Sequence, residues 1–182
     1  MNFTVAHFLY TISSKLDQII NVIGRAISWL VLAMVLITFS VVLLRYAFDL
    51  GWIALQESIS YLHSTVFLLG AAYTLQQNGH VRVDIFYNKL NQKAKAWVDL
   101  LGHLFILMPV MIFIIWVSWP YVSESWRVYE GSREAGGLAG VYLLKSLILM
   151  MAGLLILQAM AMIFQAVLNI SGSNQSTNQE PS

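Results

Sequence analysis

The chain has no cysteine and little charge: ten Lys or Arg and nine Asp or Glu among 182 residues. Without cysteine there is no disulfide, no thiolate metal site and no cysteine nucleophile. A soluble domain usually carries about 25% charged residues. At 10% charged, 58% hydrophobic and a mean hydropathy of +0.69, most of this surface is expected to face lipid. The net charge is only +1, and no basic cluster exists beyond Lys89–Lys95, so no nucleic-acid partner is expected.

Charge is missing altogether from four stretches, residues 26–44, 58–75, 100–122 and 146–168, which are 19, 18, 23 and 23 residues long. Each is long enough to cross the roughly 30 Å hydrocarbon core as a helix. The expected fold is an all-α integral membrane protein with four transmembrane helices, a single membrane domain over residues 1–170. The tail, residues 171–182, is polar and low in complexity, and is expected to be disordered. The first stretch is not expected to be a signal peptide, because bulky Leu43-Leu44-Arg45-Tyr46 follows it in place of small residues. A carrier or pump normally keeps an ionisable group in mid-membrane, and these four stretches hold no Asp, Glu, Lys or Arg.

Two amphipathic interfacial helices are expected as well, over residues 9–23 and 86–98. Leu9, Ile12, Leu16, Ile19, Ile20 and Ile23 recur at steps of three and four, with Ser13, Ser14, Lys15, Asp17, Gln18 and Asn21 opposite. That pattern predicts a helix lying on the membrane surface or packed on a partner. Leu90, Ala94, Trp97, Val98 and Leu101 form the second stripe, with Asp99 spaced to pair with Lys95. Asn78-Gly79 predicts a turn. Pro109 predicts a kink in the third span, which meets the interface at Trp116, Trp119, Pro120 and Tyr121. Gly131, Gly136, Gly137 and Gly140 predict a flexible turn into the fourth.

Lys15, Arg25, Arg82, Lys89, Lys93 and Lys95 lie on one side of this topology, and Arg45, Arg127, Arg133 and Lys145 on the other. The excess places both termini in the cytoplasm.

Chemistry-bearing residues are sparse. A b-type haem needs two histidines at matching depth. His63 lies near the outer end of its span and His103 near the inner end of the next, so their depths differ by roughly 15 Å or more. Each is read as a bundle histidine bonded to a neighbour. Glu124, Arg127, Glu130, Arg133 and Glu134 alternate in sign, as a solvated, self-paired surface does. No nucleophile elbow, HExxH or phosphate loop is present, and no catalytic, cofactor or metal residue is expected. Thr38, Ser40, His63, Ser64, Thr65, Thr74, Ser118, Gln158 and Gln165 suit interhelical hydrogen bonds. His80-Val81-Arg82-Val83-Asp84 directly follows the second span. If extended, it places His80, Arg82 and Asp84 on one side, where Arg82 and Asp84 either pair or stand as membrane-proximal charges.

Over about residues 20–168 the chain resembles the small membrane subunit of TRAP transporters, the tripartite ATP-independent periplasmic systems of bacteria and archaea. The likeness is carried by Arg45-Tyr46-Ala47-Phe48 with Trp52 and Glu57, and by Gly70-Ala71-Ala72-Tyr73 leading to His80-Val81-Arg82-Val83-Asp84. Ser118-Trp119-Pro120-Tyr121, Ser125-Trp126, Gly136-Gly137-Leu138 and Leu143-Leu144-Lys145 resemble the subgroup associated with 2-oxo acids or other organic carboxylates. Ala139-Gly140 departs from it, where a Pro is expected. The resemblance implies a periplasmic substrate-binding protein and a large membrane subunit as partners, in the bacterial inner membrane. The large subunit would move the acid by a Na⁺-coupled elevator motion, with this chain packed on its static scaffold. It implies no cofactor here and Na⁺ on the large subunit. It also makes Arg45, Glu57, His80, Arg82, Asp84 and Lys145 candidates for the subunit interface, with Glu57 expected to approach Arg45 or the partner. The rival reading is a membrane-anchor subunit of a respiratory haem or quinone complex.

Overall fold

The computed structural model describes residues 3–80, 87 and 89–172. The helices are α1 (Phe3–Phe48), α2 (Ile53–Gln76), α3 (Gln92–Gly102), α4 (Met108–Arg127) and α5 (Val141–Ile170), with a π-helical turn, His103–Leu107, joining α3 to α4. No strand occurs among the described residues. The expected disordered tail, apart from Ser171 and Gly172, lies outside the described residues, as do Arg82 and Asp84.

Three helical runs are long and apolar enough to cross a membrane: α1, the α3–α4 run Gln92–Arg127, and α5. The expected second span falls in α2. Its 24 residues reach about 36 Å, but Tyr61, His63, Ser64, Thr65, Tyr73 and Thr74 dilute its hydropathy, and it is not among the three.

The two amphipathic segments are not separate helices. Residues 9–23 are the first half of α1, which continues unbroken through the first apolar stretch for 46 residues. No proline interrupts it, and at Gly24 the missing side chain is what lets the Tyr73 ring of α2 cross. Burial does not simply follow the two faces of that first half. Ser13 is buried along with Ile20, while Lys15 and Gln18 are exposed along with Phe8, Ile19 and Val22.

Of the second amphipathic segment, the part described as α3 runs straight into the third span, while Phe86 and Asn88 lie outside the described residues. Asn91 caps α3 by accepting the Ala94 N–H at 2.8 Å. No breaker follows until Pro109, where the chain widens instead of stopping. Proline has no N–H for the Phe105 carbonyl and its ring crowds that group. The π turn just before it, closed by the Met108 N–H on the His103 carbonyl, absorbs the mismatch. Trp97, Val98 and Leu101 of the expected apolar stripe are about half exposed. Asp99 accepts the Tyr87 hydroxyl at 2.7 Å rather than meeting Lys95.

α5 is the hub, packing on α1, α2, α3, the π turn and α4. The core joins Ile20, Ala72, Met111, Ala152 and Leu155. Ala152, Ala159 and Ala161 are fully buried. Small residues let helix backbones approach closely, which replaces the hydrophobic drive that lipid removes. At its far end α2 closes with Asn78 at φ 53° and the Gly79 N–H on the Thr74 carbonyl at 2.8 Å. This left-handed cap satisfies otherwise orphaned carbonyls and is the turn expected at Asn78-Gly79.

Candidate functional site

Polar groups gather at both ends of the bundle. At the α4–α5 end, Glu57 reaches from the second turn of α2 across to the connection before α5. Its carboxylate accepts the Ser132 hydroxyl and, at 2.7 Å, the Leu138 N–H. Gly137 has no side chain because a Cβ there would meet Ser132 and Glu57 Oε2, and Gly136 turns at φ 79°. At the same end, Glu130 accepts the Ser125 hydroxyl at 2.7 Å and the Lys145 ammonium. Lys145 also sits over the Tyr121 ring, 3.9 Å from its centroid. Both carboxyls hold their protons less tightly than usual. For Glu57 the Ser132 hydroxyl is the larger cause, then the Leu138 N–H; for Glu130 it is the Lys145 bond, then Ser125. Glu57 thus fastens the glycine-rich connection to α2, while the Glu130 carboxylate joins α4 to α5.

Of the residues singled out from sequence, Glu57 and Lys145 are built into this clasp. Arg45 is exposed in the last turn of α1, where a cation complements the helix dipole, and no ion pair joins it to Glu57. His80 is exposed just beyond α2. Arg127 pairs with Glu124 on the surface, as the alternating charges suggested, but Glu130 turns inward to Lys145.

The opposite end holds a cage in which Gln158 and Gln165 make the interhelical hydrogen bonds expected of them, to a partner, Asp17, that the sequence did not reveal. Asp17 of α1 is ringed by glutamines from two other helices. Gln158 donates to its Oδ1 at 3.0 Å and Gln165 to its Oδ2 at 2.6 Å. Gln76 donates to its backbone carbonyl at 2.7 Å and to Oδ1 at 3.3 Å. Gln165 reaches Ser13 at 2.9 Å as well, and Ser13 donates to the Ala161 carbonyl. The signal was present: Ser13 and Asp17 share a face at i,i+4, and Gln158 and Gln165 share one at i,i+7 in an otherwise apolar run. These residues line a cavity of about 530 Å³ between α1, α2 and α5. No Asp, Glu, Lys or Arg lies within the uncharged stretches, yet a carboxylate reaches the fourth stretch from a neighbouring helix.

The histidines stand apart. His63 stacks on Phe67 on an exposed face of α2, with ring centroids 6.3 Å apart. His103 is buried in the π turn, its Nδ1 2.5 Å from the Asp99 carbonyl. Leu75 and His103 line one groove. His63 is twelve residues, about 18 Å, further up α2, so the two do not share one haem. Among the described residues no three His, Asp or Glu gather as a metal site.

The family model described as "Tripartite ATP-independent periplasmic transporters, DctQ component" matches residues 34–169. No curated protein and no solved structure matches the chain.

Proposed function

The chain belongs to the DctQ component family of tripartite ATP-independent periplasmic transporters, and on that premise we propose that it is the fixed membrane companion of a large transporting subunit. In this reading the large subunit carries organic carboxylates with Na⁺ by an elevator motion, after a periplasmic binding protein delivers them. This chain packs on the immobile part of that subunit, in the bacterial inner membrane. α2 serves as the fourth span, and both termini face the cytoplasm.

The observation that carries the reading is how little of the apolar surface the chain covers by itself. Within the most apolar window of each long helical run, only 6% of α1, 11% of α3–α4 and 28% of α5 is buried. Trp29, Phe39, Phe67, Phe105 and Trp116 all point outward. Such a bundle is a sheath for lipid and for a neighbour. Its own polar side chains are turned toward one another: Glu57, Glu130 and Lys145 clasp one end, and Asp17 is bonded to glutamines at the other.

The test is reconstitution in liposomes. The purified chain alone is expected to give organic-acid flux no higher than empty vesicles. Together with the large subunit and the binding protein, it is expected to give uptake that requires Na⁺ and is lost when this chain is omitted. Flux from the chain alone would overturn the reading.

A further inference from the structure

We propose that the cavity around Asp17 receives a cationic side chain, a Lys or Arg, from the large membrane subunit. The inference rests on the companion role above and assigns it a specific contact.

The argument starts from what the cage leaves unsatisfied. Three glutamine amides spend their N–H donors on Asp17 and Ser13. The amide oxygens of Gln76 and Gln158 are buried and have no hydrogen-bond partner, although Gln158 is only 1% exposed. Both residues line the cavity. The Asp17 carboxylate and the Ser13 hydroxyl therefore stand in a wall whose two amide oxygens, closed off from the cavity as it stands, still lack a donor. No Lys, Arg or His among the described residues pairs with Asp17, and none lines this cavity.

Charge, donor count and size together select the occupant. The half-buried Asp17 carboxylate is held only by neutral amides, and a cation brought against it gains most where water is excluded. Orphaned amide oxygens call for N–H donors. A cation carrying several N–H groups meets the carboxylate directly and the amide oxygens once their side chains turn toward it, and an ammonium or guanidinium is such a group. At about 530 Å³ the cavity is far roomier than the close oxygen shell a bare metal ion takes, and it has space for a long side chain. Gln77 and Asn78 at the end of α2 and the exposed Asn169 of α5 belong to its lining. Buried charge pairs of this kind fix the register between subunits, and removing one partner weakens association strongly.

The experiment co-expresses the chain with its large membrane subunit and measures co-purification in detergent. Wild-type capture tests the companion role itself. Asp17→Asn keeps the shape of the side chain, and its melting temperature as the isolated chain checks that it folds. The expected result is normal folding with about tenfold or greater loss of affinity, and partial recovery with Asp17→Glu. A photo-crosslinker placed at Ser14 or Asn169, on the cavity rim, is expected to capture a large-subunit peptide containing Lys or Arg. If wild type captures the large subunit and a folded Asp17→Asn captures it equally well, this inference fails and the companion role stands. Adducts only with lipid, or only with the Arg82 region of the same chain, also overturn it. Failure of wild type to capture the large subunit overturns the companion role instead.

Discussion

At the scale of single residues, the clasp on the connection before α5 depends on ionised carboxylates. Glu57 ties the Leu138 amide and the Ser132 hydroxyl to the start of α2. Glu57→Gln replaces a charged acceptor by a weaker neutral one. The expected outcome is faster hydrogen exchange at the Leu138 amide, with exchange inside α5 unchanged. The same residues set a pH limit. In the folded chain Glu57 and Glu130 lose their protons at lower pH than their ordinary value of 4.5. The unfolded chain therefore takes up more protons as pH falls. The contribution is complete above about pH 4.5 and drains away as pH drops through the depressed values. Order in residues 131–138, followed by exchange or limited proteolysis, is expected to hold at neutral pH and fail in acid. Glu130→Gln is expected to blunt that change.

Among helices, the decisive contacts involve the smallest side chains. A Cβ on Gly24 would overlap the Tyr73 ring, so Gly24→Ala is expected to force α1 and α2 apart. Overpacking of this kind costs about 1–3 kcal/mol. The check is thermal unfolding in detergent, and Tyr73→Ala in the same chain is expected to recover part of the loss. The helices themselves were legible in the sequence wherever apolar runs were long: the described chain is all-helical, and three such runs qualify as spans. How those runs join was not legible. Periodicity over residues 9–23 showed an apolar and a polar face but not which face would meet protein. Both faces meet it in part: Ile20 and Ser13 are buried, while Lys15, Gln18 and Ile19 are exposed. Interhelical bonding by Gln158 and Gln165 was legible, but their partner Asp17 was not, because the pairing spans more than 140 residues. Glu57 was recognisable from its neighbours in sequence. Its contacts with Ser132 and Leu138 were not, because they span more than 70 residues.

For the molecule as a whole, the absence of cysteine is an experimental advantage, because any introduced thiol is unique. Asp49 and Asn78 flank α2, both exposed in left-handed turns. If α2 crosses the membrane, Asp49→Cys and Asn78→Cys react with an impermeant maleimide from opposite sides. In right-side-out vesicles, labelling is expected at Asp49→Cys and not at Asn78→Cys until the membrane is opened. Labelling of both from outside would remove α2 as a span. Membership of the transporter family was legible from short ordered motifs around Arg45, Glu57 and Gly70–Asp84, and the matched region, residues 34–169, contains them.

The unbroken first helix carries one more implication. Forty-six residues at 1.5 Å each make a rod about 69 Å long, while a bilayer with its headgroups is about 40–45 Å thick. Even strongly tilted, the rod overshoots. Its early turns, which run beside the closing turns of α5 beyond the end of α2, act as a stiff mast. Whatever docks near Phe8 is held at a set height and heading by the same piece of backbone that is anchored in lipid at Trp29 and Phe39.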